Sequence, residues 1–97
     1  MLSIIIVNYN SLDHLNKNLD SIHNSDLNDL KYEVIIVDNN SIVKPLKNAL
    51  FKFNVNLILL DKNIGYSKAL NYGINKSIGS HLLALNPDVI LKHDTIK

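Results

Sequence analysis

Four short apolar runs rich in β-branched residues alternate along this sequence with segments of helical periodicity, and this alternation constrains the fold most strongly. The four runs occupy residues 2–9, 32–38, 55–60 and 81–85. Helices are predicted between them over residues 12–22, 43–53 and 66–78. Strands that alternate with helices in this way are parallel and joined by right-handed crossovers. We therefore expect an α/β fold, a three-layer α/β/α Rossmann-like parallel sheet of the order βαβαβαβ.

The predicted helices differ in how clearly the sequence marks them. Ser11 is a suitable N-cap residue for the first helix. Apolar residues then recur at helical spacing, at Leu12, Leu15, Leu19 and Ile22. The second helix is weaker, with Pro45 fitting its first turn. In the third, Leu70, Ile74 and Ile78 are four residues apart and predict one apolar stripe.

Composition excludes several classes of protein. The 97 residues allow one domain, and the absence of cysteine excludes disulfide scaffolds, zinc knuckles and thiol nucleophiles. A net charge of +1, with scattered lysines and no arginine, argues against a nucleic-acid binder. The longest apolar run, residues 4–7, is too short to span a bilayer, and the N-terminus lacks the charged region of a signal peptide. We expect a cytoplasmic protein, located either free in the cytoplasm or at the inner face of the membrane.

Polar side chains follow all four predicted strands at the point where each strand ends. These exits are residues 8–10, 38–41, 61–63 and 86–88. Ligands of doubly wound sheets bind beyond the carboxyl ends of the strands. The sequence therefore predicts a binding site at this edge.

Two carboxylates lie at these exits, and the role of each has two possible interpretations. Asp38 could accept a hydrogen bond from a nucleobase or a ribose hydroxyl, or could cap the turn that follows it. Asp88 could hold Mg²⁺ or Mn²⁺ together with diphosphate oxygens, or could belong to an ordinary Asn-Pro-Asp turn.

Other candidates are weaker when taken singly. The loop before the third helix contains Gly65 and could present backbone N–H groups to a phosphate, or could be a plain loop with a serine cap. Tyr9 could stack on a base, and Asn71 could point from a helix into the cleft. The four histidines lack metal-ligand spacing, and the glycines are too far apart for a dinucleotide fingerprint.

Read together, four blocks of sequence resemble family-2 glycosyltransferases in order and spacing. The blocks are residues 3–10, 33–41, 63–74 and 83–89, and they span nearly the whole chain. The Asn-Pro-Asp-Val form of the last block is similar to the rhamnosyltransferase-like branch of that family.

The resemblance implies a GT-A fold and an inverting transferase that uses a nucleotide-diphosphate sugar, UDP- or dTDP-linked, with Mg²⁺ or Mn²⁺. The family's Asp-x-Asp metal motif falls on residues 86–88, where Asn86 replaces the first aspartate and leaves Asp88 as the metal ligand. The residues implied to contact the nucleotide sugar are Asn8, Tyr9, Asn10, Asp38, Asn40, Asn63, Gly65, Asn71 and Asn86.

In that family the catalytic base lies well downstream of the metal motif. We therefore expect residues 1–97 to be the nucleotide-sugar-binding half of a GT-A domain, cut after the fourth strand, with the base and acceptor site beyond Lys97. The complete enzyme would transfer a hexose to a saccharide or lipid-linked acceptor in cell-surface polysaccharide synthesis. Peripheral membrane association and a homodimer are further expectations.

Two other functions compete with this interpretation. A non-catalytic nucleotide-binding or interaction module would keep the fold without the chemistry, and Asn86 favours it. A receiver-like phosphoacceptor domain would use Asp38, but the adjacent acidic pair is missing.

Overall fold

The computed structural model describes residues 1–23, 31–45 and 55–85, which form a single parallel sheet with helices on both faces. The elements in chain order are β1 (Leu2–Asn8), α1 (Leu12–His23), β2 (Tyr32–Asp38), β3 (Val55–Leu59), α2 (Tyr66–Lys76) and β4 (His81–Leu85). The strands pair in the order β3-β2-β1-β4, all in parallel. The predicted α/β fold and its four strands are confirmed.

The strand order places β1 in the centre, between β2 and β4. Alternate side chains of β1 therefore pack on opposite faces, as expected of a strand that is buried on both sides. Ile4 and Ile6 belong to one apolar cluster, and Ile5 and Val7 belong to the other.

Helix α1 covers the face of the sheet that carries Ile4 and Ile6. Its buried apolar residues Leu15, Leu19 and Ile22 are spaced four and three apart, which confirms the predicted stripe. The hydroxyl of Ser11 donates to the carbonyl of Tyr9 at 3.1 Å, although the Ser11 carbonyl accepts the first helical bond from Leu15 at 2.8 Å. Ser11 therefore occupies the cap position but stabilises the preceding loop through its side chain.

Helix α2 covers the opposite face and approaches the sheet closely because two of its inward positions are small. Ala69 and Gly73 are both buried and lie one turn apart. A Cβ added at Gly73 would lie 2.7 Å from Cγ2 of Ile5 and 3.0 Å from Cγ2 of Val37. Glycine at this position thus sets how near the helix can come to the strands.

The predicted third helix is two residues too long. α2 ends at Lys76 because Ser77 is extended and donates both its N–H and its hydroxyl to the carbonyl of Ile74. Ile78 lies beyond the helix with 79% of its surface exposed, so it does not extend the apolar stripe. In the predicted second helix, residues 43–45 are not helical, and its remaining residues lie outside the described ones.

The amino edge of the sheet is held by a network around Glu33. Its carboxylate accepts hydrogen bonds from the Ser3 hydroxyl at 2.5 Å and the Ile78 N–H at 2.7 Å, and Ser3 accepts one from the Gly79 N–H at 2.9 Å. Burial raises the pKa of Glu33, but the hydrogen bonds from Ser3, Ile78 and Gly79 lower it by more, so it lies below the ordinary value. These contacts connect β1, β2 and the loop before β4.

None of the helices in the described ranges has the length and apolar character needed to cross a membrane.

Replacement of Glu33 by Gln is expected to lower stability in a pH-dependent way. The unfolded chain binds a proton near pH 4.3 and the folded chain only at lower pH, so the carboxylate stabilises the fold above about pH 4.3. This contribution is lost as the pH falls through the folded pKa. In urea titrations, Glu33→Gln should lose about 1 kcal/mol at pH 7, with a smaller deficit at pH 3.

The exposed Asp61 provides the control, since Asp61→Asn should leave the free energy of unfolding within about 0.5 kcal/mol at both pH values. An equal deficit for Glu33→Gln at pH 7 and pH 3 would show that the charge of Glu33 has no part in this stability.

Candidate functional site

At the carboxyl edge of the sheet, register places Asn8 of β1 directly opposite Asp38 of β2. Both side chains are fully buried. The Asn8 amide donates to Oδ1 of Asp38 at 2.9 Å, and its donor end must face Asp38 because a flipped amide would bring two acceptors together. Oδ1 of Asn8 is buried with no donor reaching it in the part of the chain that the structure describes. The two central strands thus end in a polar pair.

Ser41 connects this pair to the loop after β1. Its hydroxyl donates to Oδ1 of Asp38 at 2.6 Å and accepts from the Asn8 amide at 3.3 Å and from the Asn10 N–H at 2.8 Å. Its own N–H donates to Oδ2 of Asp38 at 2.9 Å. One hydroxyl therefore makes three hydrogen bonds, the full capacity of a serine side chain.

Two residues beside Ser41 hold left-handed backbone conformations, Asn10 with a φ of 52° and Asn40 with a φ of 65°. Asparagine adopts this region more readily than most residues. Oδ1 of Asn10 accepts from the Ile42 N–H at 2.8 Å, and Oδ1 of Asn40 accepts from Nζ of Lys44 at 2.7 Å. Lys44 also donates to the Ser41 carbonyl. The Asn40 side chain thus stabilises its own turn, whereas the Asn10 side chain connects the loop after β1 to the turn after β2.

The exit of β3 joins the same surface through Asn39. Oδ1 of Asn39 accepts from the Ile64 N–H at 2.9 Å, and the Asp38 carbonyl accepts from the Leu60 N–H at 3.0 Å. Three strand exits are therefore linked by hydrogen bonds into one continuous rim.

The loop before α2 presents backbone groups at this rim. Asn63 closes a tight turn by accepting from the Gly65 N–H at 2.8 Å. Gly65 is the N-cap of α2 with a φ of 84°, a conformation that strains any other residue, and no side chain caps the helix by a hydrogen bond. The first-turn N–H groups of an α-helix have no partner within the helix.

Two candidate residues expose their side chains at or near the rim. Tyr9 follows β1 directly, and 48% of its surface is exposed. Asn71 is exposed in the second turn of α2. A cleft of about 670 Å³ opens beside the rim. One side is formed by residues 10–14, which comprise the loop before α1 and its first residues, and the other by the exposed pair Ile42 and Val43.

The structure thus brings together most of the residues that the sequence singled out. Asn8, Asn10, Asp38 and Asn40 form one hydrogen-bonded group, and Asn63 and Gly65 belong to the loop tied to it through Asn39. Both oxygens of the buried Asp38 accept from the chain, so its contact with a base stays a prediction that requires this group to open. The same burial leaves Asp38 badly placed as a phosphoacceptor.

Asn86 and Asp88 lie outside the described residues, so their roles stay predictions. Within the described ranges, no three His, Asp or Glu side chains come together as metal ligands.

Sequence reasoning did not single out Ser41 and Asn39 as individual residues, although both are buried at the rim. A signal for Ser41 was available, because a serine three residues after an aspartate can return an N–H to that carboxylate. No local signal pointed to Asn39, whose partner Ile64 lies 25 residues away.

Comparison with known proteins identifies the family of the chain. Residues 3–97 match the sequence profile described as Glycosyl transferase family 2. The chain is 34% identical over 88 residues to the uncharacterized glycosyltransferase YwdF of Bacillus subtilis (strain 168). These 88 residues make up 90% of this chain and 32% of YwdF.

Solved structures agree with this match. A crystal structure of residues 1–349 of S. aureus TarS in complex with UDP superposes with a TM-score of 0.85 and 25% identity, over 98% of this chain and 29% of that one. The mannosyltransferase PcManGT from Pyrobaculum calidifontis, in complex with GDP-Man and Mn²⁺, gives a TM-score of 0.75 at 23% identity, over 92% of this chain and 28% of its own. The fold is that of GT-A glycosyltransferases.

Asp38→Asn should destabilise the fold by about 2–3 kcal/mol, because an amide in this position sets a donor against the donors of Asn8 and Ser41. Chemical denaturation at neutral pH measures this loss. Asn40→Gly, on the same turn, should change stability by less than about 1 kcal/mol, since glycine accepts the left-handed backbone. An Asp38→Asn variant as stable as the unmodified chain would mean that the carboxylate does not hold the rim.

Proposed function

The chain belongs to glycosyltransferase family 2, and on that premise we propose that its carboxyl-edge rim binds the nucleotide-diphosphate part of an activated sugar. The observation that carries this proposal is that hydrogen bonds around Asp38 and Ser41 connect the carboxyl ends of three strands. Such an edge is where doubly wound sheets bind nucleotides. The likeness to TarS, solved with UDP, supports it further.

We assign the base to Tyr9. Its exposed ring stands beside two anchored residues, and an aromatic face can stack on any base. Asn8, Asn10 and Asn40 support this surface, since their side chains are engaged in the rim. Asp38 contributes by holding the turn, and a direct bond to the base would require its hydrogen bonds to rearrange.

We assign the diphosphate to the N-terminus of α2. The first-turn N–H groups and the helix dipole favour an anion there. Gly65 suits close approach, because no heavy atom lies within 4 Å of the position its Cβ would take. Asn63 and Asn71 are the amides on either side of this helix start, and we propose that they line the sugar-donor pocket.

A divalent metal is proposed with Asp88 as its ligand, and Asn86 beside it as a contact to ribose. One carboxylate with phosphate oxygens and water is a common coordination of Mg²⁺.

The chain spans about a third of the length of the relatives it matches. We propose that residues 1–97 are the donor-binding half of the domain and that the catalytic base and the acceptor site belong to the remaining part. The complete enzyme would transfer a hexose with inversion to a saccharide or lipid-linked acceptor. A place in polysaccharide synthesis at the cytoplasmic face of the membrane, with a homodimer as the working unit, completes this proposal.

Calorimetric titration with UDP and with dTDP, each with and without Mn²⁺, tests the donor site. We expect one nucleotide diphosphate to bind without metal and Mn²⁺ to tighten that binding about tenfold, or about 1.4 kcal/mol. Asp88→Ala should abolish the Mn²⁺ effect and leave metal-free binding unchanged.

Asp94→Ala is the matched control, because it removes a carboxylate from the same segment and should bind as the unmodified chain does. A folded chain that binds neither nucleotide would overturn the proposal and favour a non-catalytic interaction module.

A further inference from the structure

We propose that Ser41 is a positioning residue that fixes the orientation of Tyr9, the exposed aromatic side chain at the rim. Ser41 has no surface for a ligand, since it is 1% exposed and its hydroxyl makes three hydrogen bonds within the chain. Any effect on binding must therefore pass through its neighbours. The positioning of Tyr9 by Ser41 does not depend on the proposed function. Its consequence, which is tighter nucleotide binding, rests on the proposed function.

Asn8, the residue before Tyr9, is hydrogen-bonded to Ser41. The Asn8 amide donates to the Ser41 hydroxyl at 3.3 Å, and the Asn8 carbonyl accepts from the Asn39 N–H at 2.8 Å. Since Asn8 is also fully buried, the backbone that leads into Tyr9 is held by burial and by hydrogen bonds.

The residue after Tyr9 is anchored to the same hydroxyl. The Asn10 N–H donates to Oγ of Ser41 at 2.8 Å, while Oδ1 of Asn10 accepts from the Ile42 N–H at 2.8 Å. These two bonds stabilise Asn10 at a φ of 52°, in the left-handed region that asparagine adopts more readily than most residues. The Tyr9 carbonyl is held by the Ser11 hydroxyl at 3.1 Å.

Tyr9 thus combines an exposed side chain with a backbone that is anchored on both sides. Its ring is half exposed, but both flanking residues are hydrogen-bonded to one buried hydroxyl. A fixed backbone narrows the range of positions that the ring can take before the ligand arrives, so less entropy is lost on stacking and the nucleotide binds more tightly. Alanine at position 41 would remove all three hydroxyl bonds at once, whereas the Ser41 N–H bond to Asp38 would remain.

The first test needs no ligand. The chain contains no tryptophan, so Tyr9→Trp places a single fluorescent reporter at the rim. Time-resolved anisotropy should show restricted motion of this ring, and adding Ser41→Ala should raise the amplitude of its fast local motion about twofold. Ser80→Ala, an exposed serine at the amino edge, is the control and should leave the decay unchanged.

The second test is a double-mutant cycle on the Kd for UDP. Tyr9→Ala should weaken binding about tenfold, the size of one base–aromatic stack. Ser41→Ala should weaken it about fivefold when Tyr9 is present, and should add little in the Tyr9→Ala background. Independent, additive losses would overturn the inference, because Ser41 would then act by another route.

If Ser41→Ala does not fold, Ser41→Cys replaces it in both tests. A thiol fills the place of the hydroxyl but is a weak donor and a weak acceptor, so it weakens the bonds to Asn8, Asn10 and Asp38. An unchanged anisotropy decay in either variant overturns the positioning role. Absence of binding of both UDP and dTDP by the unmodified chain overturns the proposed function instead, while the anisotropy test still decides whether Ser41 fixes Tyr9.

Discussion

A buried carboxylate at the end of a central strand is the interaction on which the rest of this structure depends. Asp38 has no exposed surface, and its two oxygens accept hydrogen bonds from Asn8 and Ser41. A buried carboxyl group costs free energy unless hydrogen-bond donors satisfy its oxygens. Asn8 at the end of β1 and Ser41 in the turn after β2 supply these donors, and Ser41 also accepts from the Asn10 N–H in the loop after β1. The rim that we assign to the nucleotide is therefore built around one buried carboxyl group.

Much of the fold could be predicted from the sequence because local signals and topology agree. Strands that are buried on both faces read as continuous apolar runs, and α1 shows a clean apolar stripe. The end of α2 could not be predicted, because it depends on Ser77 turning back to Ile74 and on the bond from Ile78 to Glu33, 45 residues away. Helix periodicity alone extends through Ile78, since it contains no information about a distant acceptor.

The candidate site could likewise be predicted only in part. Sequence placed Asn8, Asn10 and Asp38 at strand exits, and the register of β1 with β2 brings Asn8 and Asp38 into contact. What the sequence could not supply is which side chains face a ligand and which hold the loops in place. Asp38 is a carboxylate of the kind that binds ligands, but it is buried and bonded within the chain. Ser41, which the sequence did not single out, joins Asp38, Asn8 and Asn10 by hydrogen bonds.

The most direct measurement of the central claim is a titration of ¹⁵N-labelled chain with UDP, followed through the backbone amide resonances. We expect the shifts to concentrate at the carboxyl edge, in residues 9–10, 39–42 and 63–68, and the amino-edge amides of Ser3, Glu33 and Gly79 to stay unchanged. Shifts centred on the amino edge, or on neither edge, would contradict the claim that the network around Asp38 builds the nucleotide site.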